Sequence, residues 1–447
     1  MHKRSIWFTL VAAVLLLAMF LYLNREFLLR VAVAYRAYRA NIFTPLPPIP
    51  GESRFRRLRS DAQFYWDFSE IPMARQKRLQ RVNPVLRPLI KQMNRAQATG
   101  QDMEYSMNIY REIRWLLNFT PDLKGVWTEV DAFRKSLSQP ERQKLAAEQQ
   151  PDGSWALGIN SWYLKLYYSV ESGSIQECVP PPRYPLQFLD RINSPEKLTA
   201  ELDSALHDDF TRTGIFNRER TDETFSALAR LLIKGKPIRC YIFHPELAQT
   251  LRAFVNRWQN PVTGCWGQWL IDRQGRTWKM DDMAMTFHVV SDLKGQVQHL
   301  DQIANRLLQL YNMEFPTGNR FNGHHENHLN ADAVIILHYA WPTLDAATRE
   351  RASQQISQML TWCLAESLQP DGSFKVSELD DTTSDAQWYG VWFLDEAGYF
   401  NRRKRFWTEQ DFPNAQAIRA RIAANLKATG LSDPGLKSAY KMVTTAE

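Results

Sequence analysis

The chain has 447 residues, with 55 Lys+Arg against 48 Asp+Glu and a formal charge of +7. Ten basic residues against two acids fall in residues 1–60, so the remainder sums to −1, and composition gives no support for a nucleic-acid binder built on a basic domain face. An apolar content of 44%, with 15 Trp, 16 Tyr and 23 Phe, excludes a disordered chain, and four cysteines without CxxC spacing exclude a disulfide scaffold or zinc ribbon.

Residues 6–23 form an apolar run interrupted only by Thr9, just long enough to cross a bilayer. The run ends in Leu23-Asn24-Arg25-Glu26 rather than in a small-residue cleavage site, so it reads as an uncleaved signal-anchor helix, single-pass in the cell inner membrane. Residues 1–44 are thus expected to be an anchor plus a juxtamembrane basic helix, with Arg25, Arg30, Arg36 and Arg39 at headgroup depth against inner-membrane lipid. The short tail with Lys3 and Arg4 places the body in the periplasm. Counting Lys and Arg on both flanks places it in the cytoplasm, so orientation stays open, with the periplasm as the expectation. Residues 45–59, with Pro45, Pro47, Pro48 and Pro50, read as a stiff linker.

Residues 60–150 are expected to be helical, with helices at 86–99, 103–119 and 140–150. A repeat then occupies residues 151–430. The pattern Thr/Asp-Gly-x-aromatic recurs at Gly153, Gly214, Gly264, Gly318 (with one extra residue) and Gly372, spaced 61, 50, 54 and 54 apart. A polar loop and an Asp/Asn-rich start follow each copy, then an apolar helix, among them 224–232, 283–293, 331–340 and 386–394. A second, amphipathic helix belongs to each unit, at 195–209, 245–258, 297–311 and 345–366. No alternating strand pattern competes with these. The tail, residues 431–447, carries no motif and is expected to be partly disordered.

A unit of about 50 residues with one nearly all-apolar helix cannot bury itself alone. Stacking with the apolar helices inside and the amphipathic helices outside predicts an all-α fold, an α/α toroid. Gln149-Gln150-Pro151-Asp152-Gly153-Ser154-Trp155 and Gln369-Pro370-Asp371-Gly372-Ser373-Phe374 resemble the QxxDGSW repeat of terpenoid cyclases and protein prenyltransferases. The resemblance covers roughly residues 150–400 and concerns architecture. It implies a toroid, with Asp282 at the zinc-binding Asp of prenyltransferases, although Phe287 stands where that family has Cys. It also implies Asp380, in Glu378-Leu379-Asp380-Asp381, as the proton donor of a class II cyclase. The DDxxD diphosphate motif is missed by one residue.

In such a ring the inner-helix starts gather around one mouth, bringing together carboxylates that repel unless protonated, bridged by a cation or used as an acid/base pair. The expected catalytic residues are Asp282, Glu326, Asp381 and Asp380, with His288 and His328. The expected substrate-binding residues are Trp266, Trp269, Trp278, Asn327 and Trp388, because indoles flanked by polar groups suit sugar rings. The cluster His324-His325-Glu326-Asn327-His328 offers divalent-metal donors without HExxH spacing, and no metal or other cofactor is expected. The preferred expectation is a glycoside hydrolase or polysaccharide lyase acting on an envelope glycan. The alternatives are an isoprenoid-handling toroid and a non-catalytic glycan- or protein-binding scaffold, and nucleic acid is not expected as a partner.

Overall fold

The computed structural model describes residues 24–45, 54–98, 149–155, 161–171, 182–213, 216–234, 238–321, 323–377, 383–430 and 434–445, with Ile113 and Ile175. The expected anchor at 6–23, the helix expected at 103–119, nearly all of that expected at 140–150, and Asp380 and Asp381 lie outside the described residues. No helix among the described residues is long and apolar enough to cross a membrane.

The described chain is mostly helical. Helices α1 (Arg25–Ala40), α2 (Arg54–Phe68) and α3 (Glu70–Ala98) come first. α2 begins inside the expected linker, and α3 starts well before residue 86, because Pro84 and Pro88 sit within it without ending it. Next come α4 (Trp162–Glu171), α5 (Pro195–Leu206), α6 (Arg218–Ala229), α7 (Leu247–Trp258), α8 (Met283–Asp292) and α9 (Leu300–Leu310). The chain finishes with α10 (Asn327–Ala340), α11 (Ala346–Trp362), α12 (Thr383–Glu396), α13 (Ala415–Thr429) and α14 (Pro434–Thr445).

Two layers follow from the apolar pattern. α4, α6, α8, α10, α12 and α14 pack each against the next in an inner row. α10 is buried on nearly every side, from Leu329 to Leu337. The intervening helices bury one stripe. α7 buries Leu247, Leu251, Phe254, Val255 and Trp258, at the spacing of a single helical face. α5 packs on α6, α9 on α10, and α13 on α14. Ser194 caps α5 by accepting the Lys197 N–H, as its Ser-Pro-Glu start predicts, a contact worth about 1 kcal/mol. The expected disordered tail is corrected: α14 buries Leu436, Ala439 and Val443 against α12 and α13 and is the last member of the inner row.

The repeat turns share a geometry. Gln150 N–H donates to Ser154 O and Gly153 N–H to Gln150 O; Gln369 and Gly372 repeat both bonds with Ser373 and Gln369. Asn260, Gly264 and Cys265 do the same with one residue more. Gly153 and Gly372 adopt φ +87° and +88°, and a Cβ on either would strike backbone at 2.2 Å and 2.6 Å, so glycine is required there.

One finding departs from the purely helical expectation. Residues read as a polar loop form strands β3 (Trp269–Ile271) and β4 (Thr277–Met280), in a four-stranded sheet ordered β1-β4-β3-β2 with β1 (Phe43–Pro45) and β2 (His207–Asp208). β1 pairs antiparallel with β4. Phe43 packs among Phe64, Tyr65 and Phe68, while Arg306 Nη2 donates to the carbonyls of Ala40 and Asn41. The segment after α1 is therefore built into the body.

Candidate functional site

Three adjacent inner helices bring ionisable groups to one recess. On α6, Glu219, Asp222 and Glu223 share a face at i, i+3 and i+4. α8 contributes His288, and α10 contributes His328 and Asp332. His288 Nδ1 lies 2.6 Å from Asp222 Oδ1. His288 and His328 sit between helices, yet each keeps 27% of its side-chain surface accessible, so solvent reaches both rings.

The charges in this recess are split by environment. Burial opposes a charge on His288, but the Asp222 carboxylate and its hydrogen bond outweigh it, and the imidazole is raised to about 9. For Asp222 burial is likewise opposed, by His288 and then Arg218, and the carboxyl stays below its ordinary value. For Glu223, burial and the neighbouring Asp222 charge outweigh the pull of His288 and Arg218 and push it up to about 8. Burial and the His288 charge lower His328 to about 3, leaving it neutral. Burial raises Asp332 well above the carboxylate range. Asp332 Oδ1 and Asn319 Oδ1 are buried without hydrogen-bond partners and border one small cavity between α8, α9 and α10.

The recess has an aromatic wall. The His328 ring stacks on Tyr389 at 4.1 Å and 8°. Trp388 and Trp392, one turn apart on α12, lie nearly parallel at 6.2 Å, and Trp392 meets Phe287 at 5.9 Å. All three α12 aromatics are half-buried, leaving faces accessible.

Several expected site residues have other duties. Asp282 is fully buried. It caps α8 by accepting the Met285 N–H at 2.9 Å and takes both Arg218 Nε (2.5 Å) and Nη2 (3.1 Å). Burial disfavours the Arg218 charge, but Asp282, Glu219 and Asp222 hold the guanidinium protonated. Asp282 is a structural carboxylate here, out of a substrate's reach. Glu326 is the N-terminal flank of α10 and 6% exposed. Asn327 faces inward, its amide donating to Ser367 Oγ at 2.8 Å.

The expected tryptophans divide in the same way. Trp266 and Trp278 are core side chains, their indole N–H groups donating to Val255 O and Asp272 Oδ2, and Trp278 stacks on Phe64 at 4.2 Å. Trp269, at 9% exposure, lies on β3 with the Lys279 ammonium 4.4 Å over its ring. Trp388 alone of the expected aromatics lies on the recess wall.

The histidine cluster separates. His324 and His325 lie on the β5–β6 hairpin (Arg320–Phe321, His324–His325), and His325 reaches Tyr311 Oη at 2.8 Å, while His328 points into the recess. Among the described residues no three His, Cys, Asp or Glu side chains gather as a metal site. Asp222, Glu223, Tyr389 and Trp392 also belong to the recess cluster and were not among the expected site residues. The signal available for Asp222 was the Arg218/Asp222 pair at i, i+4, which orients the carboxylate toward α8.

No protein-family model, curated protein or solved structure matches the chain.

Proposed function

We propose that the chain is a membrane-anchored α/α toroid that cleaves an envelope glycan by acid–base chemistry, through hydrolysis or β-elimination. The toroid reading is supported by the inner row of alternate helices, the outer helices laid against it and the shared repeat turn. The functional reading rests on one observation: the Asp222–His288 pair and Glu223 occupy one recess beside the stacked aromatics of α12. Neighbouring carboxyls with separated proton affinities are the arrangement an acid–base enzyme needs.

Glu223, protonated to about pH 8, is the proposed proton donor to the leaving oxygen. His288, held charged by Asp222, supplies a cation beside it for an acidic or hydroxyl-rich ligand. A glycosidase needs a second carboxylate across the scissile bond, and Asp381 or Asp380, which precede α12 in the sequence, is the proposed partner. Trp388 and Trp392 offer faces on which sugar rings stack. The isoprenoid reading would use the same aromatics but would set an apolar chain against a charged pair, a costly desolvation.

Export is supported by a disulfide at Cys240, since such bonds persist in oxidising compartments. Cys265 and Cys363 are free, so thiol titration of the denatured chain should find two thiols before reduction and four after. Four thiols in protein purified without reductant would remove that support.

The test of function is release of reducing ends or unsaturated uronates from acidic and neutral envelope polysaccharides. Glu223→Gln should lower turnover by about 100-fold or more with the fold retained. Turnover by Glu223→Gln at the wild-type rate would overturn the assignment. Cyclisation of an isoprenoid with no glycan cleavage would install the second reading.

A further inference from the structure

We infer that helices α1–α3 form a bilayer-docking platform: the exposed face of α1, an apolar sector edged by arginines, lies in the interface of an anionic membrane and holds the body at a fixed orientation. The inference deepens the membrane attachment proposed above and is independent of the catalytic reading.

At 100° per residue, three sectors divide α1. Arg30, Val33, Ala34 and Ala37 face the body. Arg30 is spent there: its guanidinium lies 4.1 Å over Trp66 and pairs with Glu70 at 2.8 Å. A second sector, about 100° wide, carries Phe27, Leu28, Val31, Tyr35 and Tyr38, which are 40–57% exposed. Arg39, Arg25 and Arg36 occupy the adjoining sector, all exposed. A soluble surface scatters its large apolar side chains singly, whereas here five of the six exposed on α1 form one stripe, with Leu29, 48% exposed, beyond the arginine sector. An apolar stripe with tyrosines and an arginine edge is the pattern of a helix lying in a headgroup layer.

Charge identifies the occupant. α1, α2 and α3 together hold fifteen basic and four acidic residues, a net +11 in a chain totalling +7, so everything else sums to −4. Lys and Arg near an anionic bilayer each contribute about 1 kcal/mol of attraction. The chain also presents this face where a membrane would be, since α1 begins directly after the apolar run 6–23. Finally, the platform is rigidly joined to the body. α1 packs on α2, β1 pairs with β4, and Asp281 N–H donates to Ile42 O one residue before the Asp282 cap of α8. Docking of α1 therefore fixes the direction in which the recess faces.

The test uses the full chain reconstituted in vesicles, with single cysteines introduced by Leu28→Cys, Tyr35→Cys and, as a control on the body, Val262→Cys at a residue 67% exposed. A membrane-impermeant maleimide is applied from the side bearing the body. In vesicles containing phosphatidylglycerol, positions 28 and 35 should label about tenfold or more slowly relative to position 262. In pure phosphatidylcholine, or after Arg25→Glu, Arg36→Glu and Arg39→Glu together, that protection should shrink severalfold. Labelling at 28 and 35 as fast as at 262 would overturn the platform, even where vesicle flotation shows the chain membrane-bound. Protection that rises with protein density at fixed lipid composition would assign the face to a second copy of the chain instead. Protection unaffected by lipid charge or by the three Glu substitutions would overturn the anionic-lipid assignment. Release of the chain from vesicles by high salt, with protection intact until release, would overturn the anchor at 6–23 but not the platform.

Discussion

Two pairs of adjacent acids stand at inner helices, and they behave in opposite ways. Asp281 and Asp282 precede α8, and Asp282 is in extended backbone, so successive side chains point to opposite sides. Each meets its own arginine: Asp281 Oδ2 takes Arg306 Nε at 2.7 Å, and Asp282 takes Arg218. Asp222 and Glu223 lie inside α6, where neighbours are separated by only 100° and stay on related faces. They share one nearby imidazolium, which Asp222 captures, and Glu223 keeps its proton. A doubled acid thus leaves one carboxyl without a cation of its own only when cations are fewer than carboxylates. Where each carboxylate has its own guanidinium, the pair serves as scaffolding.

The sharpest way to break the comparison is to unpair the scaffold. Asp282→Ala leaves Arg218 buried at 4% exposure without its bidentate partner and removes the α8 cap. A loss of about 3–5 kcal/mol in unfolding free energy is expected, read as a lower denaturant midpoint. Asp222→Asn should cost clearly less, because His288 can shed its proton and Arg218 keeps its bidentate pairing with Asp282. Equal losses would mean that both pairs are scaffolding. Next in size is the catalytic loss of Glu223→Gln, at about 100-fold, paired with a stability change small enough to leave the denaturant midpoint nearly in place. Asp282→Asn should show the reverse balance, and a variant of either pair showing both losses would blur the distinction.

A smaller effect concerns the dyad alone. With Asp222 intact, His288 should titrate at about 9. In Asp222→Asn the burial that opposes its charge is no longer outweighed by a carboxylate at 2.6 Å, so the imidazole should titrate below its ordinary 6.5. Imidazole nitrogen shifts across a pH series report this directly. A value that stays near 9 would transfer the role to Glu223 or Asp292.

The difference between the two pairs also marks how far the sequence could be read. The helical class, the buried and amphipathic partners and the Gly153, Gly264 and Gly372 turns were legible, because a period of 3.6 and a glycine at positive φ are local properties. Convergence of α6, α8 and α10 was legible in outline, since repeats place like ends together. Which carboxylate would be free was not. It depended on Arg218 and Arg306, which lie 64 and 25 residues from the acids they neutralise. Trp269 and Trp278 were misread for a related reason: polar sequence neighbours suggested exposure, but both are buried, Asp272 and Arg276 turn inward as an ion pair at 2.6 Å, and Asp272 accepts the Trp278 indole N–H. The tail lacked a motif because α14 needs only a few small and apolar residues at helical spacing to complete the inner row. The partnership of β1 with β4 spans more than 230 residues and left no local trace.

The smallest expected effect is a slope in stability against pH. The folded value of His288 lies above its ordinary 6.5, so its contribution is full below 6.5 and is lost as pH rises toward 9. Glu223 is also raised, from 4.5 to about 8, and an acid that must stay protonated in the fold costs stability progressively as pH rises through that window. Both groups therefore tilt stability downward between pH 6.5 and 8. Replacing Glu223 by Gln removes the second contribution without touching the first, so the decline should become shallower and shift toward 9. Asp282 is itself raised by burial against the pull of Arg218, so replacing it should change the pH slope as well as the overall stability, whereas Glu223→Gln should change mainly the slope. Melting temperatures of the three proteins at pH 6, 7, 8 and 9 would separate them. A slope unchanged by Glu223→Gln would mean that Glu223 is ionised in the fold, and the recess would then lack its proposed proton donor.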